Sequence, residues 1–263
     1  MIKTVSILGC GWFGLALAKK LVAEGYLVNG STTTHEKIQL LSENHIKPFL
    51  INFTAEHIQA EEIFFEAEAL FICIPPKRNS NELHNYPDKI KAILNAAKGK
   101  TSKVILISST SVYNDENKIV NETNETSPDT DSGKVVLLAE QILKEYYPND
   151  FTVIRFAGLI GPDRNPGRFF AGKKNLANGL APVNLIHQKD AVGIAEAILD
   201  KQAFGRIYNA CSPDHPTKKD FYVKAAKQSA IEEPEFLDEK QSWKIVESLN
   251  VPNYLGYEFQ IAL

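Results

Sequence analysis

Six residues near the start, Gly9-Cys10-Gly11-Trp12-Phe13-Gly14, carry the densest chemical signal in the chain. They spell G-x-G-x-x-G after the apolar run 5–8 and before Leu17, Ala18, Leu21 and Val22, which recur at helical spacing. Strand, glycine turn and helix in that order make a diphosphate cradle. The first glycine permits the tight turn, the second lets a pyrophosphate approach the backbone, and the third lets helix and strand pack closely. The opening amides of the helix have no intrahelical partner and its dipole favours an anion. Gly9, Gly11, Trp12, Phe13 and Gly14 are therefore the first candidates for contact with a dinucleotide. About 20 residues further on, where a carboxylate would take a ribose 2′-hydroxyl, the chain offers Ser31, Thr32 and Thr33 and no carboxylate, with His35 and Lys37 following. Hydroxyls without an acid tolerate a 2′-phosphate, so NADP is the expected cofactor, with NAD as the alternative. Turn and N-cap duty is the plainer reading of the same hydroxyls.

Such a cradle needs a parallel sheet around it. Strands at 27–31 and 48–52 and a helix at 35–43 follow at the short intervals of βαβ units. Nearly continuous apolar runs at 69–74 and 104–107 flank a helix lined by Ile90, Ile93, Leu94 and Ala97, as expected for strands covered on both faces. The 69–74 run stops at Pro75-Pro76, at a carboxyl edge where dinucleotide contacts concentrate, which marks Ile74 and Pro75 as further candidates. The stretch 114–133 is polar and reads as a loop, a helix resumes at 135–147, and 151–156 is a sixth strand. Residues 158–179, rich in Gly, Pro and Arg, read as a long excursion carrying no core. A strand ending at His187, a helix near 190–199 opened by Asp190, a strand at 206–210 and a helix from about 218 to 229 complete the chain. The expected architecture is a doubly wound Rossmann α/β sheet with helices on both faces and a small C-terminal α/β substrate region. The boundaries are 1–157 for the dinucleotide domain, with 183–210 returning to it, and 158–182 plus 211–263 for the smaller part.

Composition removes other classes. With 263 residues, 44% hydrophobic and 23% charged, the chain is neither fibrous nor disordered, and a net charge of −3 gives no basic surface for nucleic acid. Three scattered cysteines and six histidines form no C-x-x-C pair and no i,i+4 histidine pair, so no metal is expected. An odd cysteine count suits a reducing cytoplasm. The first apolar run is short for a signal peptide and none reaches membrane-span length, so no membrane partner is expected.

Ser108-Ser109-Thr110-Ser111-Val112-Tyr113 resembles the serine-rich segment ending in Val-Tyr that follows the fifth strand in extended short-chain dehydrogenases/reductases of the nucleotide-sugar epimerase and dehydratase group. Ala139-Glu140-Gln141-Ile142-Leu143, Arg155 to Pro162, Ile186 to Ala191 and Tyr208-Asn209 are similar, in order, to further segments of that group, over about residues 3 to 212. The resemblance implies that Ser109 is a catalytic serine, that Ser108 lines the cofactor site, that Asn52 meets the adenine, and that Arg164 and Arg168 face an anionic substrate; the alternative for Ser109 is that it only lines the cofactor site with Ser108 and Thr110, and for the arginines solvated charge is the simpler reading. It also implies a homodimer through helices near Ile90 and Leu138. The group's proton relay, Tyr-x-x-x-Lys in the helix, is not retained: Ser132 and Val136 stand in those places, and no tyrosine of the chain has a lysine four residues on. Lys134 is two residues, or about 200°, around the helix from the lysine's face. Tyr113 reads as loop packing and Cys10 and Cys73 as core. Two functions fit this pattern. One is an NAD(P)-dependent epimerase-like oxidoreductase acting on an unidentified small molecule with altered proton-transfer groups; the other is a non-catalytic NAD(P) sensor.

Overall fold

The computed structural model describes residues 2–53, 58–76 and 83–263. Seven strands form one sheet: β1 (Thr4–Leu8), β2 (Leu27–Thr32), β3 (Lys47–Leu50), β4 (Ala69–Ile72), β5 (Lys103–Ser109), β6 (Phe151–Phe156) and β7 (Ile207–Ala210). Their order is β3-β2-β1-β4-β5-β6-β7, with every neighbouring pair parallel. The chain builds outward from β1 on one side, then crosses back to place β4 on the other. That reversal opens a crevice at the carboxyl ends of β1 and β4. The register fixes the crevice: Leu8 pairs with Ile72 and the Cys73 amide donates to the Leu8 carbonyl at 2.8 Å, so Gly9 and Cys73 leave the sheet side by side.

The strands form because their side chains are apolar on both faces; Val104, Ile105 and Leu106 in β5 and all of β4 are fully enclosed. Helix α1 (Trp12–Ala23) packs against α5 (Gln188–Asp200), and α3 (Tyr86–Ala97) packs against α4 (Asp131–Tyr146). α2 (Glu36–Glu43) buries Leu41 beside β3, and α6 (Lys218–Gln228) sits on the smaller part. This is the doubly wound Rossmann sheet expected from the pattern of runs. No helix among the described residues is long and apolar enough to cross a membrane.

Five local expectations change. The stretch 158–179 does carry core: Ile160 joins Val183, Leu185, Phe221 and Tyr222 in a second apolar cluster, with Phe170 packed on it. Leu185–His187 pairs with Gly158–Ile160 in a two-stranded sheet instead of entering the main one. Within the polar stretch, Lys118–Val120 forms a strand paired in parallel with Lys244–Val246. α4 begins at Asp131, ahead of its apolar residues, because the Thr130 hydroxyl caps it by accepting from the Gly133 amide at 3.1 Å. Asp190 lies in the first turn of α5, but His187 is the cap, its Nδ1 accepting from the Lys189 amide.

Candidate functional site

The glycine turn behaves as three different residues. Gly9 adopts φ +98°, a left-handed conformation that a side chain resists, and a Cβ there would lie 2.9 Å from the Ile74 side chain. A Cβ on Gly14 would sit 2.2 Å from the Gly9 carbonyl oxygen, so helix and turn touch without a gap. A Cβ on Gly11 would meet no heavy atom within 4 Å. Gly11 therefore faces open space, which a pyrophosphate requires and a side chain would fill. The first intrahelical bond runs from Leu15 to the Gly11 carbonyl, and no side chain caps α1. The amides of Trp12, Phe13 and Gly14 thus precede the hydrogen-bond ladder, and the chain fits a dinucleotide diphosphate at this end.

Ser31 holds the turn from beneath. Its hydroxyl accepts from the Gly9 amide at 2.8 Å and its carbonyl accepts from the Cys10 amide at 2.8 Å. Thr32 is nearly enclosed and its hydroxyl accepts from the Thr34 amide, forming the local turn. Thr33 is exposed and lines a groove of about 380 Å³ together with Lys37, Lys89 and Asn52. Asn52 lies just beyond β3, in a two-residue strand paired with Ile58–Gln59. Ile74, Pro75 and Pro76 line this groove and also a cavity of about 760 Å³ on the far side of Gly11, so the two form one trench along the sheet edge.

The larger cavity takes in Trp12, Phe13, Gly14, Ser108, Ser109 and Arg164. The Trp12 indole donates to the Pro162 carbonyl at 2.6 Å, and the Arg164 guanidinium stacks 4.4 Å from its ring centroid. Gln188 at the start of α5 donates to the Trp12 carbonyl at 2.9 Å, so three remote segments brace this residue. Arg168 ends the turn Pro166–Arg168 and lines neither cavity. The structure thus gathers the sequence candidates except Arg168 along one trench.

Ser109 closes β5 and faces the cavity, its hydroxyl accepting from the Ser111 amide at 3.2 Å. The Ser108 hydroxyl points the other way, donating to Glu140. Glu140 in turn takes Arg155 in a bidentate pair, Nη2 to Oε2 at 2.6 Å and Nε to Oε1 at 3.0 Å. Arg155 also donates to the Tyr113 hydroxyl at 2.6 Å, and Tyr113 is bonded onward to Asn121 and Asn209. Burial pushes the Tyr113 phenol above its ordinary range, and Tyr113 does not line the cavity. It is packing, as its sequence position suggests.

Where the family relay would stand, Val136 presents an apolar wall and Lys134 is exposed and paired with Asp131. Burial raises the thiols of Cys10 and Cys211 to about 12 and that of Cys73 well above its usual range, so none is a ready nucleophile. Asp115, Lys218, Tyr222 and Lys244 also line the cavity and escaped sequence reasoning. Each comes from a segment with no local motif, and the pairing of 118–120 with 244–246 helps bring Lys244 to the residues that follow β5.

Residues 4–111 match the family model described as "NADP oxidoreductase coenzyme F420-dependent". Protein YeeZ of Escherichia coli strain K12 is 34% identical over 265 residues, covering 98% of this chain and 96% of that protein. UDP-glucuronic acid 4-epimerase from Bacillus cereus, solved in complex with NAD, superposes with a TM-score of 0.82 at 18% identity, covering 98% of this chain and 94% of the epimerase. A conserved protein of unknown function from Silicibacter pomeroyi superposes with a TM-score of 0.76 at 21% identity, over 97% of this chain and 93% of that one. At these identities the solved structures show a shared fold, that of the epimerase and dehydratase group anticipated from the ordered segments.

Proposed function

The chain belongs to the family of protein YeeZ, and from that premise we propose that it is an NAD(P)-dependent oxidoreductase that converts a small carbonyl or alcohol compound in the larger cavity. The observation that carries this reading is the open space at Gly11 against the uncapped start of α1. Gly25 and Gly99 also face open space, but at positive φ; Gly11 does so at φ −81°, where neither backbone strain nor protein contact calls for glycine, whereas Gly9 and Gly14 pack against protein. NADP is preferred over NAD because Thr33, Lys37 and Lys89 line the ribose end and, among the described residues, no carboxylate does. Trp12, Phe13 and Gly14 would hold the diphosphate, and Ser109 would lie beside the ring. When bound, the nicotinamide supplies or takes hydride at its C4 carbon. The protein's own part is to orient that ring along the trench, exclude water with Phe156, Val136 and Leu159, and manage a proton.

A second reading, a dinucleotide sensor without turnover, is favoured by Val136 and Ser132, since neither side chain can relay a proton as a phenol and an ammonium do. Fluorescence titration with NADPH and NADH, followed by mass spectrometry of a metabolite extract incubated with protein and cofactor, separates the readings. NADPH should bind at least about tenfold tighter than NADH, a difference of about 1.4 kcal/mol, and at least one metabolite should be consumed. Tight NADPH binding with every metabolite unchanged would leave the sensor. Failure to bind either nucleotide would end both readings.

A further inference from the structure

Among the described residues, three cations line the larger cavity: Arg164, Lys218 and Lys244. Arg164 is stacked on Trp12, and a guanidinium does not release a proton in proteins. Lys218 opens α6, on the smaller part of the molecule. Lys244 differs from both. Its ammonium donates to the Tyr113 carbonyl at 2.6 Å and lies 2.9 Å from Asp115 Oδ1, with the side chain 15% exposed. Tyr113 follows directly on the single turn Thr110–Val112 that begins after Ser109. The ammonium is therefore anchored to the same short segment that presents Ser109 and Ser111 to the cavity.

The surrounding backbone is held from both sides. Asn184 donates to the Lys244 carbonyl at 2.9 Å and accepts from the Val246 amide at 2.8 Å. Asn117 accepts from the Trp243 amide at 3.0 Å, and its own amide donates to the Trp243 carbonyl at 2.8 Å. An ammonium carries three N–H donors, and the two protein partners leave one for the cavity.

We propose that Lys244 is a catalytic residue of this site, donating the proton that a substrate carbonyl oxygen takes up as hydride reaches the carbonyl carbon. The proposal rests on the dinucleotide reading above, which supplies the reduced nicotinamide. A reduced nicotinamide held in the trench would supply the hydride, the electron pair of its C4–H bond becoming the new C–H bond. The carbonyl π bond breaks toward oxygen, and that oxygen takes a proton from Lys244 Nζ. The substrate is reduced to an alcohol, the nicotinamide is oxidised, and the neutral amine regains its proton from solvent on the exposed Asp115 side. Among model compounds, alkylammonium ions and phenols lose their protons at similar pH, near about 10, so an ammonium suits the task for which the family helix uses tyrosine. Here that helix offers only Ser132 and Val136.

The test uses the full chain with NADPH, and 9,10-phenanthrenequinone and a set of 2-oxo acids as carbonyl probes. NADPH affinity is measured by fluorescence for each variant, separately from kcat. Lys244→Met and Lys244→Arg should each lower kcat at least about 100-fold, within the range for loss of a general acid, with NADPH affinity changed less than threefold. Arginine keeps the charge and can keep both hydrogen bonds but cannot give up the proton, so it also covers the case in which the methionine variant fails to fold. Lys134→Ala, on the exposed face of α4, should behave as the unmodified protein. A Lys244→Arg enzyme with unchanged kcat overturns the proposal, as does a protein that binds NADPH and reduces none of the probes. If NADPH does not bind the unmodified protein, the dinucleotide reading itself has failed and the proposal falls with it.

Discussion

Gly11 and Gly14 stand three residues apart and meet opposite surroundings, which makes them a paired test of ligand contact against packing. At Gly11 the backbone is extended, φ −81°, and a side chain would point into empty trench. Gly11→Val should fold normally, with melting shifted by no more than the roughly 2–4 °C that 1 kcal/mol produces in a domain of this size. It should lose NADPH affinity by about 100-fold, or about 2.7 kcal/mol. At Gly14 the added methyl would collide with the Gly9 carbonyl, and overpacking of this kind costs about 1–3 kcal/mol. Gly14→Ala should therefore show its effect first in urea unfolding of the ligand-free protein. A Gly11→Val protein that binds NADPH as tightly as the unmodified chain would remove the diphosphate from this turn. These glycines were legible in the sequence because the motif, the strand before it and the helix after it are contiguous. Ser31 was legible as a site residue but not in its role, since only the parallel pairing of β1 with β2 turns its hydroxyl under the Gly9 amide.

Elements were legible where their apolar residues run together or recur at helical spacing. β4, β5, β6 and α3 all stand where the runs place them. The strands 118–120 and 244–246 were not, because each is three residues long, carries lysine, and is stabilised by the other from over a hundred residues away. The open end of β1 shows another nonlocal device. The Glu68 carboxylate, just before β4, accepts from the amides of Lys3 at 2.6 Å and Thr4 at 3.0 Å, closing the start of β1. Those two amides hold its carboxyl below the usual value of 4.5. A folded-state value below the unfolded one contributes stability that is present above the unfolded value and fades as the pH falls through the folded one. Glu68→Gln should accordingly be less stable than the unmodified protein at pH 7, and the gap should close as the pH is taken from about 4.5 downward. Urea midpoints measured across that window check it. A gap that stays constant with pH would show that the carboxylate's charge contributes nothing to the β1–β4 edge.

Across the whole molecule, the site is assembled from segments that sequence order separates: the turn at 9–14, the end of β5, the 158–164 stretch and the strand at 244–246. The wide separation explains why the dinucleotide half could be read from the chain while the other half, with Lys244 and Asp115, could not. What keeps the later segments in place is tied to α5. Asp190, 1% exposed, accepts from the Tyr257 hydroxyl at 2.9 Å, the Gln260 amide at 2.7 Å and the Ile261 amide at 3.2 Å. A Cβ at Gly193 would lie 2.4 Å from the same hydroxyl, so one turn further along the helix the missing side chain makes room for Tyr257. Burial, reinforced by the bond to Asp190, holds the Tyr257 phenol above its ordinary range, which keeps it protonated and donating. Asp190→Asn replaces one acceptor oxygen with an NH2 group facing donors. Leaving buried donors unmet costs about 1–3 kcal/mol each, so the variant should unfold at lower urea and exchange its amide hydrogens at 257–261 much faster. Because Gln188 holds Trp12 from the first residue of α5, before Asp190, NADPH affinity should move far less than amide exchange does. Unaltered exchange at 257–261 would mean that the tail is held by its apolar contacts and not by this carboxylate. A large loss of NADPH affinity alongside faster exchange would instead show that the tail, α5 and the glycine turn respond as one unit.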